Sequence, residues 1–485
     1  MNKKGMTRRG FIGGLGTAAL TGAGLTLGLG LKNANALPAP DAWDREVDVV
    51  VAGTGLAGLC AAIEAASGGA KTLLLDAFAV VGGNTALSTG WFNAANSPIQ
   101  QKLGIKDSVE EFYKDSMQIS EDRRDPDLTK VVAEQSSEAI QWLMDQGVNF
   151  RDVAEPAMGS PKPRAIQAEG YGKKVVETLS SVGKQKGVEI VTRARVLSLY
   201  RKMENGANRV VGAEADMNGK KVRIGARAVV IATGGFMHNK KLVDRFLPQW
   251  SKSLVIGTPA NVGDGLIMAD VEGADAVNLD RALVTPTLEV KTKTYLTSGA
   301  LSGGAILVNE NGKRFTNELQ GYTEVSMEML EQEKVYEIMV EEVHPKVKEF
   351  IDKGIVKRAD NAEELAQKIG ADPATLKQTI ESFNQATESK TKDSFGRTVF
   401  REKLEPPFYF MQVLPVLLLT LGGLKIGTDA RVLDMRDNAV LQGLYSAGEV
   451  TGGYIDYGYR TGDSLMFCTV LGKIAGKNAA EETKA

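Results

Sequence analysis

Three glycines and one acid have a spacing that suits the binding of a dinucleotide. The stretch Gly53-Thr-Gly55-Leu-Ala-Gly58 has the pattern Gly-x-Gly-x-x-Gly. Gly53 would make a tight turn, Gly55 would let the backbone approach a pyrophosphate, and Gly58 would let a helix pack closely on a strand. Asp76 follows roughly 20 residues later, where a carboxylate can accept hydrogen bonds from a ribose.

The elements that must position these residues can be predicted from the flanking sequence. Residues 46–52, EVDVVVA, predict a buried parallel strand, and residues 71–76, KTLLLD, predict a second one. Residues 59–66, LCAAIEAA, favour a helix whose N-terminus would face the phosphates. A lone glycine motif would fit any tight turn, but strand, turn, helix and acid together predict nucleotide binding.

Further glycine signals favour FAD over NAD as the dinucleotide. They lie at residues 80–85, VVGGNT, at 228–236, AVVIATGGF, and at 443–450, GLYSAGEV. Together these motifs resemble the flavoprotein family of fumarate reductase and succinate dehydrogenase, especially its soluble flavocytochrome and urocanate reductase branch. The resemblance runs from about Val47 to Ala479. It implies a non-covalently bound FAD.

The resemblance also implies an α/β fold in which a Rossmann-like FAD-binding domain is interrupted by an α+β capping domain. Carried onto this sequence, the FAD-binding domain comprises residues 41–279 and 420–485, and the capping domain comprises residues 280–419. Alternating strand and helix patterns agree with this class, and helical patterns lie at 127–146 and 362–390.

Individual FAD contacts follow from the family motifs. Asp264, in Gly-Asp-Gly, stands at a family position near the isoalloxazine ring. Each such residue taken alone could equally serve loop geometry or packing, and no metal site is expected. The implied FAD contacts are Gly53, Gly55, Gly58, Asp76, Asn84, Thr85, Gly90, Gly234, Asp264, Glu449, Ser464 and Leu465.

The substrate positions of the family are replaced in this chain. In fumarate reductases two histidines and two arginines hold a dicarboxylate, and one arginine delivers the proton. Residues 304–318 resemble the segment that leads to this arginine, whose position holds Tyr322. Thr285 stands where one histidine is expected, and Leu419 stands at the second, with Leu418 at the histidine before it.

The remaining positions leave an alternative open. An ungapped count places Tyr459 on the family's substrate arginine, with Arg460 one step later. A one-residue insertion balanced by a deletion would restore Arg460, which we favour as the substrate contact. The glutamate and arginine of the family's proton relay fall on Ser298 and Leu301.

These replacements predict a different substrate. A carboxylate against Leu418 and Leu419 would lose charge-assisted hydrogen bonds of about 1.5 to 3 kcal/mol each, which disfavours fumarate. An apolar or aryl group on the alkene fits such a wall, with Arg460 as a carboxylate or carbonyl clamp. Tyr322 can be the proton donor because a phenol with an ordinary pKa of about 10 is protonated at neutral pH. A packing role for Tyr322 in the cap is the alternative.

The sequence therefore predicts a FAD-dependent reductase of the activated C=C bond in an α,β-unsaturated monocarboxylate or aryl-substituted substrate. Only two cysteines occur and no Cys-x-x-Cys-His motif is present, so we expect the electrons to come from a separate cytochrome or quinol-linked protein. The alternatives are a ketosteroid-type flavin dehydrogenase, in which tyrosines serve as acid and base, and a non-catalytic flavoprotein electron carrier.

The first 36 residues predict export rather than fold. Residues 7–12, TRRGFI, match the twin-arginine signal, and the small residues that end at Ala36 predict cleavage there. We expect the twin-arginine machinery as a partner and the periplasm as the location; an uncleaved membrane anchor is the alternative. The net charge of −2 disfavours nucleic acid as a partner.

Overall fold

The computed structural model describes residues 37–157, 160–204, 206–296, 299–456 and 458–484. The predicted signal peptide, residues 1–36, lies outside these ranges. The strands are β1 Leu37–Pro38, β2 Arg45–Glu46, β3 Val49–Ala52, β4 Thr72–Leu75, β5 Trp91–Asn93, β6 Phe150–Ala157, β7 Ser160–Ala168, β8 Glu189–Val191, β9 Ala194–Glu204, β10 Ala207–Met217, β11 Lys220–Gly225, β12 Ala228–Ile231, β13 Leu254–Val255, β14 Ala276–Val277, β15 Ala282–Glu289, β16 Ile306–Asn309, β17 Val335–Met339, β18 Lys357–Ala359, β19 Phe408–Thr420, β20 Gly423–Leu424, β21 Arg431–Leu433 and β22 Val440–Ser446.

Helices connect these strands. They are α1 Leu56–Ser67, α2 Gly83–Leu87, α3 Pro98–Lys102, α4 Val109–Ile119, α5 Pro126–Asp145, α6 Tyr171–Gln185, α7 Lys240–Phe246, α8 Asp264–Val271, α9 Gly299–Gly303, α10 Tyr322–Met329, α11 Pro345–Asp352, α12 Ala362–Ile369, α13 Pro373–Ser389 and α14 Asp463–Glu482, with short 3₁₀ turns at Pro248–Trp250 and Glu341–Val343.

The largest sheet has a parallel centre. Strands β22, β12, β3, β4 and β8 lie side by side in that order and are all parallel. Strands β3, β4 and β12 are completely buried, as expected for a parallel sheet covered by helices on both faces. Helix α1 packs against both α6 and α14. The predicted α/β class with a Rossmann-like sheet is confirmed.

A second sheet is organised around one long strand. Strand β19 pairs with β13, β15, β17 and β18 and continues from the second apolar core into the first. The second core draws its residues from between Leu296 and Val413, inside the predicted capping domain. The proposed boundaries at 280 and 419 remain predictions.

One helical pattern proved to be two helices. Residues 362–390 were expected to form a continuous run, but α12 ends at Gly370, which has φ +80°. Asp372 then caps α13 by accepting a hydrogen bond from the Thr375 N–H, and Pro373 occupies the first helical position. The left-handed glycine and the N-terminal proline both interrupt a helix, so the chain turns here.

A single buried carboxylate in the capping sheet gives a stability prediction. Glu337 on β17 lies between Leu307 and Met411 of the neighbouring strands and is fully buried. Neither of its carboxylate oxygens has a hydrogen-bond partner among the described residues. Burial therefore raises the pKa of Glu337 from 4.5 to about 8.

Replacing Glu337 with Gln should remove part of the pH dependence of folding. Between pH 4.5 and about 8 the folded chain keeps a proton that the unfolded chain releases. The free energy of unfolding therefore falls as pH rises, by up to about 1.4 kcal/mol per pH unit from this group. Chemical denaturation across this range should show a flatter profile for Glu337→Gln. An equal slope in Glu337→Gln would show that burying the Glu337 carboxylate has no such free-energy cost. Glu363→Gln, at an exposed position in the first turn of α12, is the control.

Two further sequence features concern the membrane and the cysteines. In the part of the chain that the structure describes, the helices are each too short or too polar to cross a membrane. Cys60 on α1 and Cys468 on α14 are free thiols. Burial raises the pKa of both, to about 12 for Cys468, so neither is a reactive thiolate at neutral pH.

Candidate active site

The glycine-rich turn joins β3 to α1. It is closely packed at Gly53 and Gly58 and open at Gly55. Gly53 has φ +110°, and a Cβ there would lie 2.1 Å from the Ala232 carbonyl oxygen. A Cβ on Gly58 would lie 1.8 Å from the Gly53 oxygen. A Cβ on Gly55 would meet only Thr85 Oγ1, at 3.8 Å. The open side of Gly55 at the N-terminus of α1 fits the approach of a pyrophosphate.

Asp76 is held against the same turn. Its Oδ2 accepts hydrogen bonds from the backbone N–H of Thr54, at 2.9 Å, and from the Thr54 hydroxyl. Its Oδ1 accepts one from the Phe78 N–H at 2.8 Å. An ionised carboxylate has about four acceptor sites, so Asp76 keeps capacity for a ribose hydroxyl.

Thr85 and Gly90 both belong to the segment that follows β4. Thr85 Oγ1 accepts a hydrogen bond from the Leu56 N–H at 3.0 Å, which places its hydroxyl at the N-terminus of α1. Gly90 has φ +72°, and a Cβ there would lie 2.9 Å from backbone atoms of Tyr171 and Gly172. Thr85 thus adjoins the predicted phosphate site, whereas Gly90 allows close packing against α6.

Glu449 joins three separate parts of the chain. Its carboxylate accepts hydrogen bonds at 3.1 Å from Asn84 Nδ2, from Asn261 Nδ2 and from the Thr420 N–H. Burial raises the pKa of Glu449, and these hydrogen bonds oppose the rise. The residue predicted as a FAD contact therefore also ties the end of β19 to the dinucleotide side of the molecule. Sequence motifs did not single out Asn261.

Gly234 and Asp264 lie near this cluster. Gly234 has φ +74°, and a Cβ there would lie 3.1 Å from Asn261 Oδ1. Asp264 begins α8 and forms a bidentate salt bridge with Arg195, with both N–O distances at 2.7 Å. The pairing with Arg195 was not expected from the sequence, because the two residues lie on elements that are distant along the chain.

Tyr322 is placed by the helix that it begins. Thr323 Oγ1 donates a hydrogen bond to the Ala282 carbonyl at 3.0 Å, and Ser326 Oγ donates one to the Val284 carbonyl at 3.1 Å. These bonds hold α10 on β15. Tyr322, at the start of α10, is therefore held against β15, the strand that pairs with β19.

A buried ion cluster anchors the segment that enters α10. Glu318 accepts hydrogen bonds from Arg314 Nη2 at 2.7 Å and from Arg397 Nη1 at 2.9 Å. All three side chains are almost inaccessible to solvent. Charged partners in such surroundings are costly to separate, so Glu318 gives the approach to Tyr322 a defined geometry.

The Tyr322 hydroxyl belongs to a group of hydroxyl side chains. Its oxygen lies 3.0 Å from Thr461 Oγ1, and its ring lies edge-on to the Tyr459 ring with a centroid distance of 6.0 Å. Burial raises the pKa of Tyr322 above its ordinary value of 10, and Tyr295 adds to the rise, while the Thr461 hydrogen bond opposes it. Tyr322 therefore carries its proton at neutral pH.

Tyr459 lies between Tyr322 and the start of α14. Burial raises its pKa, and a hydrogen bond with Ser464 opposes the rise. Ser464 and Leu465, both predicted FAD contacts, are partly buried in the first turn of α14. The cluster of hydroxyl side chains around Tyr322 thus lies next to Ser464 and Leu465, one predicted part of the cofactor site.

Thr285 brings in a tyrosine that sequence reasoning missed. Thr285 on β15 is fully buried, and its hydroxyl donates to the Tyr295 hydroxyl at 3.4 Å. Tyr295 is partly buried, and its backbone forms an isolated bridge with Leu288. A single tyrosine in a loop has no spacing signal, which is why only the fold reveals it.

A β-bulge accounts for the exposure of the leucine pair. Leu419 pairs with Leu283 and Leu417 pairs with Val284, so Leu418 has no partner across the ladder. Leu417 is fully buried, whereas both Leu418 and Leu419 are partly exposed. In a regular strand two successive side chains point to opposite faces, but a bulge re-aims one of them. Both leucines pack on the same core as Tyr322.

Arg460 points into the protein rather than to solvent. Its side chain is fully buried, with Nη2 bonded to Ser116 Oγ at 2.6 Å and to Asp463 Oδ1 at 3.2 Å. Its guanidinium carbon lies 4.7 Å from the centre of the Phe112 ring. Tyr459, and not Arg460, makes the contact with Tyr322. The role predicted for Arg460 as a substrate clamp stays a prediction.

The two family relay positions give no ion pair. Ser298 lies outside the described residues. Leu301 is buried in α9, and its carbonyl oxygen accepts a hydrogen bond from Arg397 Nη2 at 3.0 Å. Leu301 therefore has a packing role.

The chain is similar in sequence to several known proteins. A NADH:fumarate oxidoreductase of Klebsiella pneumoniae is 31% identical over 470 residues, covering 94% of this chain and 50% of that protein. The chain thus spans half the length of this relative. A cytochrome-type fumarate reductase of Shewanella frigidimarina is 32% identical, covering 90% of this chain and 78% of that protein. A urocanate reductase of Eggerthella lenta is 29% identical, covering 93% and 77%.

Two solved structures are also similar. The open form of a flavocytochrome c3 fumarate reductase has a TM-score of 0.77 at 30% identity, covering 92% of this chain and 80% of that chain. A 3-ketosteroid Δ4-(5α)-dehydrogenase from Rhodococcus jostii also has a TM-score of 0.77, at 26% identity, covering 92% and 99%.

The Rossmann-like sheet, the open glycine turn and the buried hydroxyl group define a FAD-dependent oxidoreductase. The sequence matches the family described as FAD binding domain over residues 48–464. The chain belongs to this family, in the group that contains the fumarate reductase flavoproteins.

Proposed function

We propose that this protein reduces the activated C=C bond of an α,β-unsaturated monocarboxylate or aryl-substituted substrate. The observation that carries the proposal is the bulge that leaves Leu418 and Leu419 partly exposed on the core that also carries Tyr322. Neither leucine can donate a hydrogen bond to a carboxylate. The similarity to a fumarate reductase and a urocanate reductase supports reduction of an unsaturated acid as the reaction class.

The chemistry divides between the cofactor and the chain. When bound, reduced FAD would supply a hydride for one alkene carbon. Tyr322 gives its phenolic proton to the other carbon, so that a hydride and a proton, together two electrons and two protons, complete the two C–H bonds. Thr461, at 3.0 Å, orients the Tyr322 hydroxyl and can share its proton afterwards. The raised pKa keeps Tyr322 protonated before the reaction.

The geometry favours Tyr459 over Arg460 as the residue nearest the substrate. Tyr459 has its ring against Tyr322, while Arg460 is occupied by Asp463 and Ser116. A phenol hydroxyl can hold a carbonyl or a single carboxylate oxygen without the charge that a dicarboxylate needs. This arrangement again favours a substrate with one polar end and one apolar end.

Electron supply and location follow from the sequence. The chain has no Cys-x-x-Cys-His motif, so we infer a separate donor protein. A similar fumarate reductase is of the cytochrome type and another relative is an NADH:fumarate oxidoreductase, which supports a protein-bound electron donor. The twin-arginine pattern at residues 7–12 supports export to the periplasm with FAD already bound.

The proposal can be tested on a single turnover. The purified flavoprotein is reduced anaerobically, then mixed with cinnamate, acrylate, urocanate or fumarate while flavin absorbance is followed. Reoxidation by at least one enoate, faster in the native protein than in Tyr322→Phe, is expected. A reduced protein that no enoate reoxidises would contradict catalysis and favour an electron carrier.

Shortening Leu419 should weaken the grip on an aryl group. Leu419→Ala removes apolar contact worth about 1 to 3 kcal/mol, so KM for cinnamate should rise about 10-fold or more. KM for acrylate, which has no group to reach the wall, should change little. Leu414→Ala, on the same strand but paired with Leu288 beyond the bulge, is the control. Equal changes for the two substrates would place Leu419 outside the pocket.

A ketosteroid-type dehydrogenase is the second candidate. It is favoured by the similarity to the Rhodococcus jostii structure, 99% of whose chain is covered. The group of Tyr295, Tyr322 and Tyr459 could then remove a proton as well as give one. Turnover of a 3-ketosteroid with an artificial electron acceptor, without turnover of any enoate, would establish this reading.

A further inference from the structure

A buried charge cluster lies beneath the loop that carries Tyr459 and Thr461. Asp463 accepts hydrogen bonds from Asn93 Nδ2 at 2.7 Å, from Arg124 Nη2 at 2.9 Å and from Arg460 Nη2 at 3.2 Å. The side chains of Arg124, Arg460 and Asp463 have no solvent exposure. Two cations therefore share one carboxylate, and burying the second cation costs stability that an apolar residue would not.

The loop above this cluster fits closely against its surroundings. Gly458 has φ +69°, and a Cβ there would lie 2.4 Å from the Ile119 carbonyl oxygen at the end of α4. Gly462 has φ +94°, and a Cβ there would lie 2.5 Å from the Asn93 nitrogen at the end of β5. The loop thus packs against α4 and β5, and the positions at its two ends accommodate only glycine.

Arg124 spans the two ends of this loop. Its Nη2 donates to the Gly458 carbonyl at 2.8 Å and to Asp463 Oδ2 at 2.9 Å. Arg460 makes a different set of contacts, because its guanidinium donates hydrogen bonds to Asp463 and to Ser116. Arg124 itself stacks over the Tyr454 ring at 5.3 Å, which fixes the guanidinium plane.

We propose that Arg124 is a positioning residue for proton transfer, which rests on the function proposed above. By joining Gly458 to Asp463 it fixes the segment between them, and this segment presents Tyr459 and Thr461 to Tyr322. Arg124 makes no contact with Tyr322 in the described structure and acts through the loop. The directional hydrogen bonds explain why a costly second cation is kept at this place.

A first test measures the loop itself and needs no substrate. Hydrogen–deuterium exchange of the holoprotein is compared for native, Arg124→Gln and Arg164→Gln chains. Arg164 is a matched control because it is equally buried, pairs with Asp107 and Asp115, and stacks on the Phe112 ring. Faster exchange in residues 458–463 for Arg124→Gln alone is expected. Unchanged exchange in this segment would overturn the proposal.

A second test separates positioning from loss of stability. A double-mutant cycle combines Arg124→Gln with Tyr322→Phe, with kcat measured on cinnamate and, if cinnamate is not reduced, on acrylate. A misplaced donor can cost about 100-fold, so Arg124→Gln should lower kcat by about 10- to 100-fold with a smaller change in KM. In the Tyr322→Phe background the further loss should be below about 3-fold, because residues that act together are not additive.

The outcomes distinguish the two proposals. If Tyr322→Phe is slow but the Arg124→Gln loss multiplies fully onto it, the positioning role is wrong and the proposed function stands. If Tyr322→Phe is as fast as the native protein, Tyr322 is not the acid and the positioning role is wrong, while reduction of the alkene stands; if neither protein reduces an enoate, the proposed function is wrong. Arg124→Lys is the second variant in case Arg124→Gln does not fold. Its single ammonium can bond either Gly458 or Asp463 at one time. It should therefore recover part of kcat and of the protection from exchange.

Discussion

Replacing Tyr322 with Phe should lower kcat for alkene reduction by about 100- to 10,000-fold, the range for loss of a general acid. The change removes one oxygen atom and keeps the ring that packs against Tyr459. It leaves the Thr461 hydroxyl without its partner, at a cost of about 1 to 3 kcal/mol at most. FAD binding and the fold should therefore survive while proton transfer fails.

The measurement is steady-state reduction of the best enoate with reduced viologen under anaerobic conditions. FAD content and thermal stability are checked in parallel. Tyr336→Phe is a matched control, since Tyr336 is a partly exposed phenol on β17 whose pKa is also raised by burial. A Tyr322→Phe enzyme within 3-fold of the native rate would rule out Tyr322 as the acid.

The pH dependence gives an independent check on the same residue. Burial raises the pKa of Tyr322 above its ordinary value of 10, so the acid does not ionise in the neutral range. The kcat of the native enzyme should show no loss from this group between about pH 6 and 9, because a phenol with a raised pKa stays protonated there. A decline centred near pH 7 would point to a different acid.

Replacing Gly55 with Val should yield a folded protein with weak FAD binding. A Cβ at Gly55 meets only Thr85 Oγ1, at 3.8 Å, and φ −63° at Gly55 is open to any residue, so we expect the free chain to fold with Val there. The same atoms would occupy the space through which a pyrophosphate approaches the backbone. Overpacking of about 1 to 3 kcal/mol corresponds to FAD affinity lowered by roughly 5- to 150-fold.

FAD affinity would be measured by titrating the deflavinated protein and following flavin fluorescence. Gly183→Ala is the control, because Gly183 on α6 also has only ordinary contacts, the nearest at 3.7 Å, but lies away from the turn. It should bind FAD normally. If Gly55→Val binds FAD as tightly as native protein, the pyrophosphate does not lie beside Gly55.

The dinucleotide site could be predicted from the sequence because backbone requirements leave a local record. Gly58 is fixed by a contact inside one strand, turn and helix, and Gly53 by its positive φ and by the Ala232 backbone, and a short motif captures both. Residues that meet only through the tertiary fold left no such record. Asn261 reaches Glu449 and Arg195 reaches Asp264 across long stretches of chain.

The substrate side shows the same limit more strongly. The leucine run on β19 could be placed by its motif, but the bulge that exposes both Leu418 and Leu419 depends on pairing with β15. Counting along the sequence could not separate Tyr459 from Arg460, since a shift of one residue exchanges them. The buried pairing of Arg460 with Asp463 and the contact of Tyr459 with Tyr322 distinguish their surroundings. Arg124, far away in sequence, lies in none of the motifs.

We propose that a leucine wall and a tyrosine acid have replaced the dicarboxylate grip. The most direct measurement is the ratio of kcat/KM for cinnamate to that for fumarate in the native enzyme, with reduced viologen as donor. We predict a ratio of at least about 10, since each lost charge-assisted hydrogen bond is worth about 1.5 to 3 kcal/mol to fumarate. Faster turnover of fumarate than of cinnamate would contradict it.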